Sequence, residues 1–147
     1  MSDIKSLTLT FAECRRPWES WGIRQTLGSV NPAWGNCSPA DIDGVLELSG
    51  NVLFIEDKDF GTENPTETAS AFRDHILAGQ RRTFDTLCRP SNQVVLVVDG
   101  PRDRPRSAIW WRTKEVVVFH GEDRERQTQL IEQIGRWARH VAHRSSR

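Results

Sequence analysis

A β-hairpin in the first half of the chain is the sequence feature that most constrains the fold. A first strand is expected from Ile42 to Leu48, and the turn residues Ser49-Gly50-Asn51 follow it. The turn leads into the apolar run Val52 to Ile55. Serine, glycine and asparagine tolerate the backbone angles of a tight turn, so the two runs are predicted to pair as antiparallel neighbours.

Charged side chains continue the second strand of this hairpin. Successive side chains in a strand alternate between its two faces, so Phe54, Glu56 and Lys58 are expected to point the same way. Like positions on one face are roughly 6.6–7 Å apart. Glu56 and Lys58 can therefore share one site at the end of an apolar strand.

The hairpin and its flanks are rich in carboxylates. Between residues 41 and 59 there is a single cation, Lys58, against Asp41, Asp43, Glu47, Glu56, Asp57 and Asp59. Crowded carboxylates repel, and Mg²⁺, which prefers oxygen ligands, relieves that repulsion. The alternative is a solvated acidic hairpin whose charges keep a sheet edge soluble. The position of Glu56 and Lys58 straight after a buried-type strand favours a metal site.

An Asp, a short hairpin and then Glu-x-Lys resembles the pattern of the PD-(D/E)XK nuclease superfamily, over about residues 38 to 88. That superfamily includes restriction endonucleases, Holliday junction resolvases and many phage nucleases. The resemblance implies hydrolysis of DNA phosphodiester bonds with Mg²⁺ or Mn²⁺. Asp43 and Glu56 match its metal-binding acids, and Lys58 matches the lysine that orients or activates the attacking water.

The first acid of the motif has two candidates. Asp41 competes with Asp43, which is preferred because its spacing from Glu56 resembles that of the resolvase branch. The backbone carbonyl of Asp57 is expected to complete the metal ligands. Asp57 also departs from the family pattern, in which the middle position of Glu-x-Lys is usually apolar.

Other functions are compatible with the same pattern. One is a catalytically inactive nucleic-acid-binding or structural subunit with a nuclease fold, as in a phage or mobile-element assembly. Another is a nuclease that acts on RNA. A homodimer is the arrangement by which a nuclease with one site per chain often cuts both strands.

A helix is predicted from residue 66 to residue 87, after the start signal Asn64-Pro65-Thr66. Phe72, Ile76, Gln80 and Phe84 recur at steps of four and so share one face. Gln80 is polar on an otherwise apolar stripe. It either satisfies a backbone group in the core or, as the family resemblance implies, reaches the metal site or a substrate phosphate.

The second half of the chain is predicted as strands followed by a helix. An apolar run from Gln93 to Val98 suits a strand buried on both faces, and Ser107 to Arg112 and Glu115 to His120 suit an antiparallel pair. Trp110 and Trp111 are adjacent, so only one is expected to face the core. A helix begins at Glu122, with an apolar stripe formed by Leu130, Ile131, Ile134, Trp137 and Val141.

An exposed loop separates the first of these strands from the next. It carries Arg102, Arg104 and Arg106, whose planar guanidinium groups match phosphate oxygens and make the loop the preferred DNA-backbone contact. A solvated loop is the ordinary alternative. Residues 1 to 100 carry a net charge of −5 and residues 101 to 147 a net charge of +5. This asymmetry suits a protein that attracts a phosphate chain and holds cations at one place.

The length and composition of the chain predict one domain over residues 1–147. The expected fold class is α/β, a restriction endonuclease-like mixed sheet of about four to five strands flanked by helices. The sequence contains no apolar run long enough to span a membrane and no secretory leader, which predicts a cytoplasmic protein without a membrane partner.

Overall fold

A computed structural model describes residues 5–7, 23–34 and 42–145. They form an α/β structure around one sheet whose strands follow one another in chain order. The strands are β1 (Lys5–Leu7), β2 (Gly44–Leu48), β3 (Asn51–Lys58), β4 (Gln93–Asp99), β5 (Ser107–Trp110) and β6 (Glu115–Val118). The helices are α1 (Ile23–Val30), a 3-10 turn (Pro32–Trp34), α2 (Ala69–His75), α3 (Ala78–Leu87) and α4 (Asp123–Ser145).

The sheet is mixed, because β3 and β4 run parallel while every other neighbouring pair runs antiparallel. Helices pack on both of its faces, which confirms the predicted α/β class of a mixed sheet flanked by helices. The sheet has six strands, whereas about four or five were predicted. One of the six is β1, a strand of three residues that pairs with β2.

The predicted hairpin is the β2–β3 pair. Leu48 pairs with Asn51 across a two-residue turn in which Ser49 and Gly50 both have positive φ, of 50° and 80°. Two successive positive φ angles define the turn type whose twist matches that of antiparallel strands. The prediction of this hairpin is confirmed, and the turn fixes which residues of β3 face each side of the sheet.

Two apolar clusters cover the two faces of the sheet. One lies on the side of α2 and α3 and contains Phe72, Ile76, Phe84, Val95, Val97, Ile109 and Trp111. The other lies on the side of α4 and contains Leu53, Leu96, Val98, Ala108 and Phe119, with Leu130, Ile134 and Trp137 of α4 against it. As predicted, β4 is buried on both faces.

Coverage of both faces corrects two sequence predictions. Trp110 and Trp111 each pack on a cluster, one on each side of the sheet, so the expectation that only one could face the core is wrong. The prediction that Ile131 belongs to the apolar stripe of α4 is wrong, because 66% of its surface is exposed. The stripe follows positions 130, 134, 137 and 141, and Ile131 lies beside it.

The predicted helix 66–87 is two helices. Thr68 caps α2, with its hydroxyl oxygen accepting a bond from the Ala71 amide, and Ile76 and Leu77 then adopt extended backbone angles before α3 begins. The Arg81 side chain donates a 2.9 Å bond to the Arg73 carbonyl across this break. The four-residue spacing could not reveal the break, because the extended Ile76 still keeps its side chain in the core.

Candidate functional site

The candidate site lies where the parallel strands β3 and β4 end side by side. Lys58, the last residue of β3, pairs with Asp99, the last residue of β4. In open α/β sheets, ligands bind outside the carboxyl ends of the parallel strands. Among the residues that sequence reasoning selected, Asp43, Glu56, Asp57 and Lys58 all lie at this end of the sheet.

Glu56 and Lys58 form the centre of the site. Glu56 is only 3% exposed, and its Oε1 lies 3.1 Å from Nζ of Lys58, which is 26% exposed. Both residues follow Phe54 on the face that carries the α2–α3 cluster. A buried carboxylate is costly unless a cation or hydrogen bonds compensate it, and the Lys58 ammonium offsets part of that cost. The pair therefore lies where the buried strand β3 reaches the solvent-exposed surface.

Asp43 is brought to the same place by the hairpin register. It precedes Gly44, which pairs with Ile55, so Asp43 stands opposite Glu56. Its Oδ2 accepts a 2.6 Å hydrogen bond from the backbone N–H of Asp57. The competing first acid, Asp41, lies outside the described residues, and the choice between the two stays a prediction.

Asp57 lies on the opposite face of β3 from Glu56. It pairs with Val98, which belongs to the cluster on the α4 side. Burial, and then the Asp43 carboxylate, raise the pKa of Asp57 from 3.8 to about 6, against the opposing effect of Arg102. Arg102 Nε is 3.8 Å from Asp57 Oδ2, while Oδ1 is shielded from solvent and accepts no hydrogen bond from the described residues. Arg102 thus offsets only part of the effect that burial and the Asp43 carboxylate have on the pKa of Asp57.

Asp99 is a buried anchor that sequence reasoning missed. It is fully buried and accepts hydrogen bonds from the Thr66 hydroxyl at 2.9 Å, from the Phe60 amide at 3.3 Å and from Arg106 Nη2 at 3.1 Å. Its carboxylate joins the segment after β3 to the loop after β4. The available signal was an acidic residue directly following an uninterrupted apolar strand.

The three arginines of the loop after β4 have different environments. Arg102 is 80% exposed and Arg104 is 59% exposed, with Arg104 Nε 3.4 Å from Asp123 Oδ1. Arg106 is only 14% exposed, and its Nη2 lies 2.7 Å from Asp59 and 3.1 Å from Asp99. The side chains of Arg102 and Arg104 are thus open to solvent, whereas the guanidinium of Arg106 is already engaged by two carboxylates.

Gln80 lies near the start of α3. It is half-buried, and in sequence it lies midway between Ile76 and Phe84. Its side chain makes no hydrogen bond within the described part of the chain. Contact between Gln80 and the Glu56–Lys58 pair stays a prediction.

The donor set at the site suits a hard cation. Asp43 and Glu56 provide carboxylate oxygens at opposing positions of the hairpin, and oxygen ligands are those that Mg²⁺ prefers. Within residues 42–145 and the two shorter described ranges, no group of three or more His, Cys, Asp or Glu side chains is arranged to hold a metal. An ion held here would have few carboxylate ligands, as is usual for Mg²⁺.

Three comparisons with known proteins found no match: no family model, no curated protein and no solved structure matches the chain. In the described ranges, no helix is both long enough and apolar enough to cross a bilayer. The geometry of the site and the chemistry of its residues therefore carry the functional argument.

Proposed function

We propose that this protein is a Mg²⁺- or Mn²⁺-dependent nuclease that hydrolyses phosphodiester bonds of DNA. Asp43 and Glu56 would hold the metal, with the carbonyl of Asp57 as a further oxygen ligand. Lys58 would act on the attacking water or on the charge that develops at phosphorus. The resemblance to PD-(D/E)XK nucleases agrees with these roles.

The observation that carries this proposal is the convergence of Asp43 with the Glu56-Asp57-Lys58 segment. Asp43 is tied to the backbone of Asp57 at 2.6 Å, and Glu56 contacts Lys58 at 3.1 Å. Two acids and an ammonium group thus meet at one sheet end. A purely solvating acidic hairpin gives no reason to bury Glu56 to 3% exposure beside a lysine.

Each residue would have a distinct part in the reaction. When bound, a divalent ion supplies Lewis-acid polarisation of the phosphate. Asp43, directly before β2, and Glu56, in the adjacent β3, would fix the position of that charge, so that little reorganisation is needed during the reaction. Lys58, held by Glu56 but partly open to solvent, would donate hydrogen bonds to the attacking water or to a phosphate oxygen.

DNA would approach along the loop after β4. Arg102 and Arg104 are exposed enough to contact phosphates there, and Arg102 lies beside Asp57. Arg106 supports the loop instead, through Asp59 and Asp99. Phosphate contacts of this kind position the nucleic acid without reading its sequence.

A non-cutting binding subunit is the second candidate. The Lys58 ammonium is already paired with Glu56, and such a pair is also compatible with a structural role. A nuclease acting on RNA would use the same residues. The proposal places the protein in the cytoplasm, and a homodimer would let two sites cut both strands.

Incubation of the purified protein with supercoiled, linear, branched and single-stranded DNA and with RNA, with and without Mn²⁺, tests these alternatives. Metal-dependent cleavage of DNA that Glu56→Gln abolishes and Glu47→Gln retains would support the proposal. Glu47 is an exposed acid of the same hairpin and provides a matched control. Binding without cleavage of any substrate would favour the non-cutting binding subunit. Cleavage confined to RNA would mean that the substrate is RNA instead of DNA.

A further inference from the structure

A pocket lies at the end of the sheet away from the Glu56–Lys58 site, between the turn after β5 and the C-terminal half of α4. Its volume is about 330 Å³, and it is lined by aromatic and basic side chains that include Trp110, Trp111, Trp137, Arg112, Arg136 and His140. Val95 of β4 also lines it, and Val95 precedes Asp99 by four residues, or about 13 Å along the strand. The pocket is thus separate from the Glu56–Lys58 site.

The aromatic walls of this pocket are held in fixed orientations. Trp110 Nε1 donates a 3.1 Å hydrogen bond to Gln133 Oε1. Trp111 also lines the pocket, but its indole belongs to the cluster on the other face of the sheet. Trp137 packs against the apolar cluster on the α4 side. Indole rings stack on other flat rings, and rings fixed beforehand lose little entropy when a ligand binds. These walls suit a planar aromatic group.

The polar lining suits an anion. Arg136 and His140 lie four residues apart on α4, on one helix face, and both are exposed. Arg136 makes no ion pair with the described residues. Arg112 adds positive charge, but its guanidinium already donates to the carbonyls of Cys88, Pro90, Ser91 and Gln93. Glu115 is the one acidic residue of the lining.

We propose that this pocket binds a nucleotide, with the base against Trp110 and Trp137 and the phosphate on Arg136 and His140. The volume lies at the low end of the range for small-molecule sites, roughly 300–1,000 Å³, which suits a single nucleotide. The nucleotide is either free or the phosphorylated end of a strand. The proposal does not rest on nuclease activity.

Isothermal titration calorimetry with AMP, adenosine and inorganic phosphate tests the two halves of the pocket. AMP is expected to bind at least about tenfold more tightly than either adenosine or phosphate, because it engages both the aromatic walls and a charge-assisted contact. Absence of AMP binding at millimolar concentration, or equal affinities for AMP and phosphate, would overturn the proposal.

Two arginines on α4 provide a matched pair of variants. Arg136→Gln is expected to weaken AMP binding about tenfold and leave adenosine binding unchanged, whereas Arg139→Gln, at an exposed position outside the lining, is expected to change neither. Equal losses of AMP affinity in both arginine variants would show that only the overall charge of α4 matters, and would overturn the proposed site. Trp110→Leu should weaken the binding of AMP and of adenosine alike. Trp110→Phe, which keeps a flat ring, should retain part of the affinity, and it replaces Trp110→Leu as the test if the Leu variant fails to fold.

Short single-stranded oligonucleotides with and without a 5′-phosphate distinguish the two sources of the nucleotide. Tighter binding of the phosphorylated oligonucleotide than of AMP, lost in Arg136→Gln, would identify a strand end as the ligand. Binding of AMP without binding of either oligonucleotide would identify a free nucleotide. An affinity for oligonucleotides that is independent of the 5′-phosphate and of Arg136, together with no affinity for AMP, would remove the pocket as a nucleotide site.

Discussion

The carboxylate of Asp43 accepts a 2.6 Å hydrogen bond from the backbone amide of Asp57, fourteen residues further along the chain. This bond fixes the residue before β2 against the end of β3. It also gives Asp43 a structural contribution besides any metal ligation. Substitution by Asn is therefore the informative change, because the Asn side-chain oxygen still accepts the bond and only the charge is lost.

Metal binding should stabilise the wild-type protein much more than two of its variants. At a free Mg²⁺ or Mn²⁺ concentration about 100 times the Kd, binding to the folded state alone adds about 2.7 kcal/mol to the free energy of unfolding. Asp43→Asn and Glu56→Gln each remove a ligand charge, so their melting temperatures should respond much less. Thermal melts with and without metal measure this, and Glu47→Gln should behave like the wild type. The same metal-induced shift in all four proteins would remove the metal site.

Loss of the Lys58 ammonium should reduce cleavage much more than DNA binding. Removal of one preorganised donor to developing charge commonly lowers kcat by about 100-fold or more, and Lys58→Met keeps most of the apolar stem while removing that donor. Single-turnover cleavage in Mn²⁺, beside equilibrium DNA binding in Ca²⁺, separates the two effects.

Stability must be checked in the same experiment, because Lys58 offsets the buried charge of Glu56. Lys58→Arg keeps a cation there and should retain the folded structure while cleaving poorly. Lys114→Met, in the turn after β5, is the control and should cleave normally. Cleavage by folded Lys58→Met within a few-fold of the wild type would remove the catalytic assignment.

Local signals in the sequence account for the hairpin and for the face of β3 that carries Glu56 and Lys58. The turn residues define the register, and strand alternation then determines which side chains lie together. For this reason the convergence of Asp43, Glu56 and Lys58 was predictable from their spacing. The parallel pairing of β3 with β4 depends on residues 41 positions apart and was not predicted from any local pattern.

The features that were not predicted depend on tertiary partners. Arg106 was expected to contact DNA, but its sequence neighbours do not reveal that Asp59 and Asp99 flank its guanidinium. Asp99 itself resembled a turn residue beside Gly100, whose φ of 127° does require glycine because a Cβ would lie 2.7 Å from the Arg104 carbonyl. The break at Ile76 was hidden because both the broken and the continuous helix bury the same apolar residues.

Asp57 should make the stability of the metal-free protein depend on pH. Its pKa is about 6 in the folded state against an ordinary value of 3.8, so between these values the folded state holds more protons than the unfolded state. Its contribution to stability is therefore present at low pH, falls as pH rises through this window and is absent above about pH 6.

The uncharged variant Asp57→Asn should be more stable than the wild type at pH 7.5, by on the order of 1 kcal/mol, because Asn avoids the buried charge beside Asp43. The difference should shrink at pH 4.5, where Asp57 is protonated. Urea unfolding in EDTA at the two pH values measures it. A variant that is less stable at pH 7.5 by the same amount as at pH 4.5 would show that the Asp57 charge is compensated, for example by Arg102.

Arg106 and Arg104 should differ sharply in their effects on stability, although sequence reasoning gave them the same role. Arg106→Ala leaves the fully buried Asp99 without its cation, which should cost about 3 kcal/mol. Arg104→Ala breaks an exposed pair with Asp123 and should cost less than about 1 kcal/mol. Chemical denaturation of both variants gives the comparison.

Adding Asp99→Asn to Arg106→Ala should recover part of the lost stability, because the uncompensated charge is then removed while the Thr66 hydroxyl keeps an acceptor. Equal, small effects of the two single substitutions would mean that Arg106 does not support the loop, and would return it to the set of arginines available to DNA.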